Sequence, residues 1–167
     1  MPHSGPMTGA PPSSPDVSRR MSAQARTGTS PEMALRRELH RRGRRFRVEF
    51  RFDIDGLRRR RADLVFTRRR VAVFVDGCFW HRCPRHATSP KSNGSWWAAK
   101  LATNVARDAD TDTRLRGAGW TVVRVWEHED PVAAADRVET CLDTVPGDAR
   151  RVVPTRPPAD GLRGEGR

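Results

Sequence analysis

Ala62-Asp63-Leu64-Val65-Phe66, then Thr67-Arg68-Arg69-Arg70, then Val71-Ala72-Val73-Phe74-Val75: this stretch decides the fold. The two apolar runs are too short for helices, and the basic tetrapeptide between them has the length of a hairpin link. They predict two adjacent strands at the buried centre of a sheet. One residue is out of character there. Asp63 sits in the first run, where an unpaired carboxylate is costly to bury, and such placement is a sign of metal binding or catalysis.

Toward the N-terminus, Phe46, Val48, Phe50 and Phe52 alternate with Arg47, Glu49 and Arg51, the period of a half-buried strand, and a polar turn around Asp55-Gly56 follows. Before it, Ser30-Pro31 supplies a cap and a first helical residue of preset φ, so a helix is expected from about residue 29 to 42. Met33, Leu35 and Leu39 are its apolar positions, and Gly43 stands where a left-handed C-terminal residue is expected. Toward the C-terminus, residues 95–118 lack proline and carry Trp97, Leu101, Val105 and Leu115 among many charges, which predicts a long helix. Residues 120–126 read as a strand, and 131–145 as a helix with Val138 and Leu142 on its core face. Helix, strands, helix, strand, helix describes an α/β layered domain with a central mixed sheet.

That domain is expected over residues 29–145. Residues 1–28, rich in Pro, Ser, Gly and Thr, are expected to form a disordered leader, with Met21 as an alternative start; residues 146–167 are expected to form a disordered basic tail. Lys plus Arg number 32 against 20 Asp plus Glu, a formal charge of +12, so polyanions are the expected partners. Only Lys91 and Lys100 are lysines, and the guanidinium fork grips phosphate in two-point fashion, although an Arg-rich codon bias would produce the same ratio. No apolar run approaches the roughly 20 residues needed to cross a bilayer. A soluble, cytoplasmic, nucleoid-associated protein is expected.

Chemistry concentrates in Cys78-Phe-Trp-His-Arg-Cys83-Pro-Arg-His86, with His128 after the last strand. With Cys141, the cysteines form no even disulfide framework, and metal is the better reading. Cys78, Cys83, His86 and His128 satisfy a closed tetrahedral zinc site, structural because protein fills all four positions. The competing reading is ordinary buried thiols and scattered histidines. Asp63 is suited to anchor Mg²⁺ with the Val75 carbonyl nearby, since that hard cation takes oxygen ligands. His81, in the same loop as the zinc ligands, is the natural general base for a water attacking phosphorus. Glu32, on the first helix, is placed to order a water or support a metal. Taken singly, each of these is also readable as a structural hydrogen-bonding residue. Phe79-Trp80 in the loop, and Trp96-Trp97 on another element, offer wedges that unstack bases; the alternative is simple core packing.

Asp76-Gly77-Cys78-Phe79-Trp80-His81-Arg82-Cys83-Pro84, Trp97 with Lys100 and Asn104-Val105-Ala106-Arg107-Asp108, and Gly119-Trp120 with Val125-Trp126-Glu127-His128 together resemble the Vsr-type very-short-patch-repair endonucleases. The resemblance covers roughly residues 29–130. It implies a restriction-endonuclease-like three-layer fold that nicks one strand 5′ to the mispaired T of a T:G mismatch left by deamination of 5-methylcytosine. By the same resemblance Asp63 binds Mg²⁺, His81 is the general base, Glu32 is the N-terminal helix glutamate and Asp108 is a further acidic active-site residue. Phe79, Trp80 and Trp97 correspond to the aromatics that intercalate beside the mismatch. Asp76, in the catalytic set, stands where some relatives carry a histidine. The zinc loop with its distal His128 also departs from the His-rich loop and distal Cys of others, and Val73-Phe74-Val75 replaces the wider superfamily's acidic-x-Lys pattern. The expected partner is double-stranded DNA with a T:G mismatch, met by a monomer, and the resemblance adds a MutL-like repair protein as a candidate partner. Two other classes stay open: a non-catalytic zinc-dependent DNA-binding module, and a related nuclease acting on DNA without a mismatch.

Overall fold

The computed structural model describes residues 28–86 and 94–145. All of the expected leader except Gly28, and the whole of the expected tail, lie outside the described residues.

Helix α1 spans Ser30–Arg41, β1 Arg47–Arg51, β2 Arg61–Phe66, β3 Val71–Asp76, α2 Gly94–Gly117, β4 Thr121–Trp126 and α3 Pro131–Thr144. The four strands form one mixed sheet in the order β1-β2-β3-β4, antiparallel across the first two junctions and parallel across the last, with α2 as the crossover. Leu35 and Leu39 of α1 and Ala134, Ala135, Val138 and Leu142 of α3 pack on one face, against Leu64, Val71, Val73, Val123 and Val125. Leu115 of α2 packs on the other, with Val65, Ala72 and Phe74. The result is three layers, two helices over the sheet and one beneath. Each fully buried leucine in these layers contributes about 2 kcal/mol by burial alone. No helix among the described residues is long and apolar enough to cross a membrane.

Two local expectations need correction. Ser30 is not the cap of α1: Thr29 holds that position without a side-chain cap bond, and Glu32 instead folds back to accept the Gly28 N–H at 2.7 Å. At the other end Gly43, at φ 75°, does end the helix as expected; its N–H reaches the His40 carbonyl, and the Arg44 N–H reaches that of Leu39.

The second correction concerns β1, which does not bury one face throughout. Phe46 packs with the α1/α3 core, Phe50 and Phe52 pack with the opposite core, and Val48 is 45% exposed. β2 changes sides at the same rung, with Ala62 in one core and Leu64 in the other. Between the pairs Val48↔Leu64 and Phe50↔Ala62 stand Glu49 and Asp63, where the ladder is interrupted, and Glu49 is left-handed at φ 51°. A non-glycine residue there is strained, and the wrench it introduces turns two strands at once beside the half-buried Asp63.

Candidate active site and metal centre

β2 and β3 part at Asp63. Their ladder pairs Phe66 with Val71, Val65 with Ala72 and Leu64 with Val73; beyond it, the Val75 N–H donates to Asp63 Oδ2 at 2.7 Å. The Arg70 and Asp76 carbonyls accept from Thr121 and Glu127 on the β4 side. Alternation along the strand therefore turns the Val75 carbonyl, like its N–H, toward Asp63. Burial, set against the Val75 hydrogen bond and reinforced by the charges of Glu32, Asp76 and Glu49, pushes Asp63 up to about 6. Glu49 Oε2 accepts from Arg61 at 3.1 Å, while its buried Oε1 has no hydrogen-bond partner. The Asp63 carboxylate, the Val75 carbonyl and the orphaned Glu49 oxygen are of the type a hard divalent cation takes, but among the described residues the group of three or more side chains close enough to hold a metal ion is the Cys/His one.

His81 meets this group from the loop after β3. Its Nδ1 lies 2.5 Å from Asp108 Oδ2 on α2 and 3.7 Å from Asp76 Oδ1. Burial opposes ionisation of Asp108, but the hydrogen bond from His81 and the positive charges of His81, Arg124 and Arg107 prevail and hold its carboxyl below the ordinary value. An ionised carboxylate only accepts, so Nδ1 carries the proton and a neutral His81 keeps its lone pair on Nε2. For His81 itself burial works against the charged form, yet Asp108 and Asp76 outweigh it and raise the imidazole above its usual range. An Asp-oriented imidazole of this kind can accept a proton from water.

Asp76 does not stand free. Arg124 Nη1 donates to its Oδ1 at 2.9 Å and Oδ2 at 2.8 Å, so burial raises its carboxyl only against that guanidinium and His81.

A Cys/His cluster joins the same loop to His128, just after β4. One ligand atom from each of Cys78, Cys83, His86 and His128 lies within 4.8 Å of the others. Cys78 Sγ is 3.0 Å from His128 Nδ1 and 4.0 Å from His86 Nδ1; Cys83 Sγ is 3.7 and 3.9 Å from the same atoms. These are near the edge lengths of a tetrahedron with bonds of about 2.0–2.3 Å, so the cluster could hold a metal ion. Without a cation the thiols resist ionising together: burial, Cys83 and Glu127 push Cys78 up to about 11. Glu127 also accepts the Cys78 N–H at 2.7 Å, fixing one ligand from behind.

Phe79, Trp80 and Trp97 are half-buried and belong to neither core. Their rings meet edge-on or tilted, 5.1 Å between Phe79 and Trp80, 5.5 Å between Phe79 and Trp97 and 6.0 Å between Trp80 and Trp97, with Trp96 4.9 Å from Trp97.

The four expected metal ligands thus converge, as do the three aromatics, and His81, Asp76 and Asp108 make one contact group. Glu32 is buried against Gly28 and Arg36 and reaches Asp63 only through its charge. Sequence reasoning missed Glu49, Arg124, Asp112 and Glu127. Only Glu127 carried a signal, its place beside His128; Glu49 read as an outward member of an alternating strand, and Arg124 as one arginine among many.

Comparison with known proteins converges on one family. The family model described as DNA mismatch endonuclease Vsr matches residues 14–86. The Type II nicking enzyme V.NaeI of Lentzea aerocolonigenes is 46% identical over 128 residues, 77% of this chain and 75% of that protein. The Type II nicking enzyme V.XorIIP of Xanthomonas oryzae pv. oryzae is 40% identical, covering 78% and 95% respectively. The DNA mismatch endonuclease Vsr of Escherichia coli is 34% identical, covering 66% and 68%.

Proposed function

The chain belongs to the Vsr family of DNA mismatch endonucleases, and from that premise we propose that it nicks one strand of duplex DNA 5′ to the T of a T:G mismatch by Mg²⁺-dependent hydrolysis. The observation that carries this reading is the Asp108-oriented imidazole of His81 beside the parted strands at Asp63. The relatives named nicking enzymes support single-strand cleavage.

In this mechanism His81 Nε2 takes a proton from a water molecule as its oxygen attacks phosphorus, and the phosphorus–oxygen bond to the departing sugar breaks. Asp108 holds the tautomer and stabilises the imidazolium that forms. Asp63, the Val75 carbonyl and Glu49 would hold Mg²⁺, with Glu32 supporting from α1. Mg²⁺ bound there polarises the phosphate and offsets the charge that develops on its oxygens. A zinc ion on Cys78, Cys83, His86 and His128 would be structural, tying the loop that carries His81 to the end of β4. Phe79, Trp80 and Trp97 would wedge beside the mismatch, where an unpaired base is the easiest to unstack.

The nuclease unit is residues 29–145 in a restriction-endonuclease-like fold, acting as a monomer on the nucleoid in the cytoplasm, with a MutL-like repair protein as the partner to test. The deciding experiment incubates the purified protein with Mg²⁺ and duplexes bearing T:G in varied sequence contexts, beside T:A and C:G controls. Mismatch-dependent nicking beside the T is expected. Nicking of matched duplexes to the same extent would move the substrate to ordinary DNA, and tight binding without nicking in every context would leave only a binding module.

A further inference from the structure

We propose that Arg124 is a positioning residue for this reaction: it bolts α2 to the end of β3 and thereby holds Asp108 against the His81 imidazole. The inference rests on the nuclease reading above.

Arg124 lies opposite Phe74 in the parallel register of β3 and β4, with its guanidinium 4.9 Å from the centre of the Phe74 ring. From that seat its donors spread in three directions. Nη1 binds both oxygens of Asp76 at the end of β3. Nε and Nη2 reach Asp112 Oδ1 at 3.1 and 3.0 Å, and Nη2 also approaches the Asp108 carbonyl at 3.4 Å and its Oδ1 at 3.7 Å. Asp108 and Asp112 are one helical turn apart, so a single planar fork sets both the rotation and the height of α2 at the residue that meets His81.

The need for such a bolt follows from where His81 sits. Backbone bonds from His81 N–H to Gly77 and from Cys83 N–H to Cys78 brace the loop, but the imidazole takes its orientation from Asp108, which belongs to a different element. α2 is otherwise held by Leu115 in the core, about two turns further along, and by Arg60 before β2, which reaches the Arg107 carbonyl at 3.1 Å, Thr111 Oγ1 at 2.6 Å and Asp110 at 2.7 Å; among the described residues Arg124 alone ties it to the end of β3 beside His81. A rotation of α2 at Asp108 would lengthen the 2.5 Å contact first. Arg124 makes no hydrogen bond to His81; it positions the imidazole through Asp76 and Asp108, while its charge alone works against the imidazolium.

The test compares wild type with Arg124→Met, Arg124→Lys and Asp112→Asn, by nicking kinetics on a T:G duplex and by the low-field ¹H NMR signal of the His81 Nδ1 proton, identified by its loss in His81→Gln. For Arg124→Met we expect kcat to fall on the order of 100-fold, the cost of a misplacement near 1 Å, with KM for the duplex changed by less than about twofold and the low-field signal gone. Arg124→Lys keeps the charge without the fork and restores part of kcat. Asp112→Asn removes one anchor, and keeps the question open if Arg124→Met fails to fold; a roughly tenfold loss of kcat with a weakened signal is expected. Wild-type kcat together with an intact low-field signal in the variants overturns the inference, as does a rise in KM that accounts for the whole loss. The NMR measurement needs neither DNA nor Mg²⁺, so absence of nicking by wild type would sink the nuclease reading while leaving this bolt separately testable.

Discussion

Cys78 and Cys83 face His86 and His128 with all four ligand atoms within 4.8 Å, whereas Asp63 feels the like charges of Glu32, Asp76 and Glu49. In both groups burial makes charge costly, at Asp63 and at the Cys78 thiol. The Cys/His set is complete in itself: two thiolates and two imidazoles balance one divalent cation and leave it no open position. The carboxylate set is built differently: Glu32, Glu49 and Asp76 each meet an arginine (Arg36, Arg61 and Arg124), Asp63 is held by the Val75 N–H, and one oxygen of Glu49 is unpartnered. The difference teaches how one loop serves two purposes. In the proposed reading a closed metal site would brace the loop, and Asp63 beside it would take a cation that arrives with the DNA phosphate. His81 belongs to both regions, lying between Cys78 and Cys83 in the chain and against Asp108 in space.

The harshest way to break the contrast is to open the closed site. Cys83→Ser removes a fully buried ligand, and with the ion lost the whole loop loses its anchor; we expect a fall in stability of more than about 4 kcal/mol, with loss of zinc and of nicking together. Metal analysis and thermal melts of the variant check this. An unchanged melting temperature with zinc still bound would mean the cluster is not a closed tetrahedral site.

Asp63→Asn should do the reverse. Nicking is expected to fall by about 10⁴-fold, roughly 5.5 kcal/mol of transition-state stabilisation, while stability in Mg²⁺-free buffer holds or rises, because a buried charge among like charges is removed. Single-turnover kinetics and melts separate the two effects. If Asp63→Asn melts well below wild type, the carboxylate is a structural group and the contrast fails.

Much of the closed site was legible in the sequence because thiols and imidazoles are rare and their spacing is local: Cys78, Cys83 and His86 fall within nine residues. The hairpin was legible for a similar reason, since short apolar runs around a basic link leave little choice. The carboxylate centre was half legible. Asp63 announced itself as a charge in an apolar strand, but Glu49 matters because a strained residue turns β1 at the rung facing Asp63, and no pattern of alternation records that. Arg124 matters because the parallel register puts it beside Asp76, and because the phase of α2 brings Asp108 and Asp112 to the same place. Both are non-local facts of register and helix phase, which composition and periodicity do not contain.

A gentler probe sharpens the contrast without mutation. In Mg²⁺-free protein Asp63 rises from an ordinary 3.8 to about 6, so the folded state holds its proton more tightly than the unfolded state. That contribution to stability is fully present below about pH 4 and is lost as pH rises through about 6, at most about 3 kcal/mol from a shift of about two units. Mg²⁺ bound at Asp63 removes the penalty. Adding Mg²⁺ without a chelator, so that the Cys/His ion stays in place, should therefore raise the melting temperature more at pH 7.5 than at pH 5. Equal shifts at the two values, or the same pH dependence in Asp63→Asn, would place the cation elsewhere.

The smallest expected effect lies at the border of the two regions. Trp97 touches Phe79 and Trp80 on the metal-bearing loop but lies outside both cores, so Trp97→Ala should leave the melting temperature nearly unchanged. If the three rings serve as a wedge, the loss falls on binding: stacking of an aromatic on a base is worth about 1–3 kcal/mol, so affinity for a T:G duplex should drop by roughly 5- to 150-fold. A matched duplex resists unstacking, and its affinity should hardly move. Fluorescence anisotropy on paired T:G and T:A duplexes at one salt concentration gives the difference directly, and salt must be fixed because the phosphate contacts of so basic a chain depend on it. Equal losses on the two duplexes would reassign the rings to bracing the loop, and mismatch selection would then have to come from elsewhere on the surface.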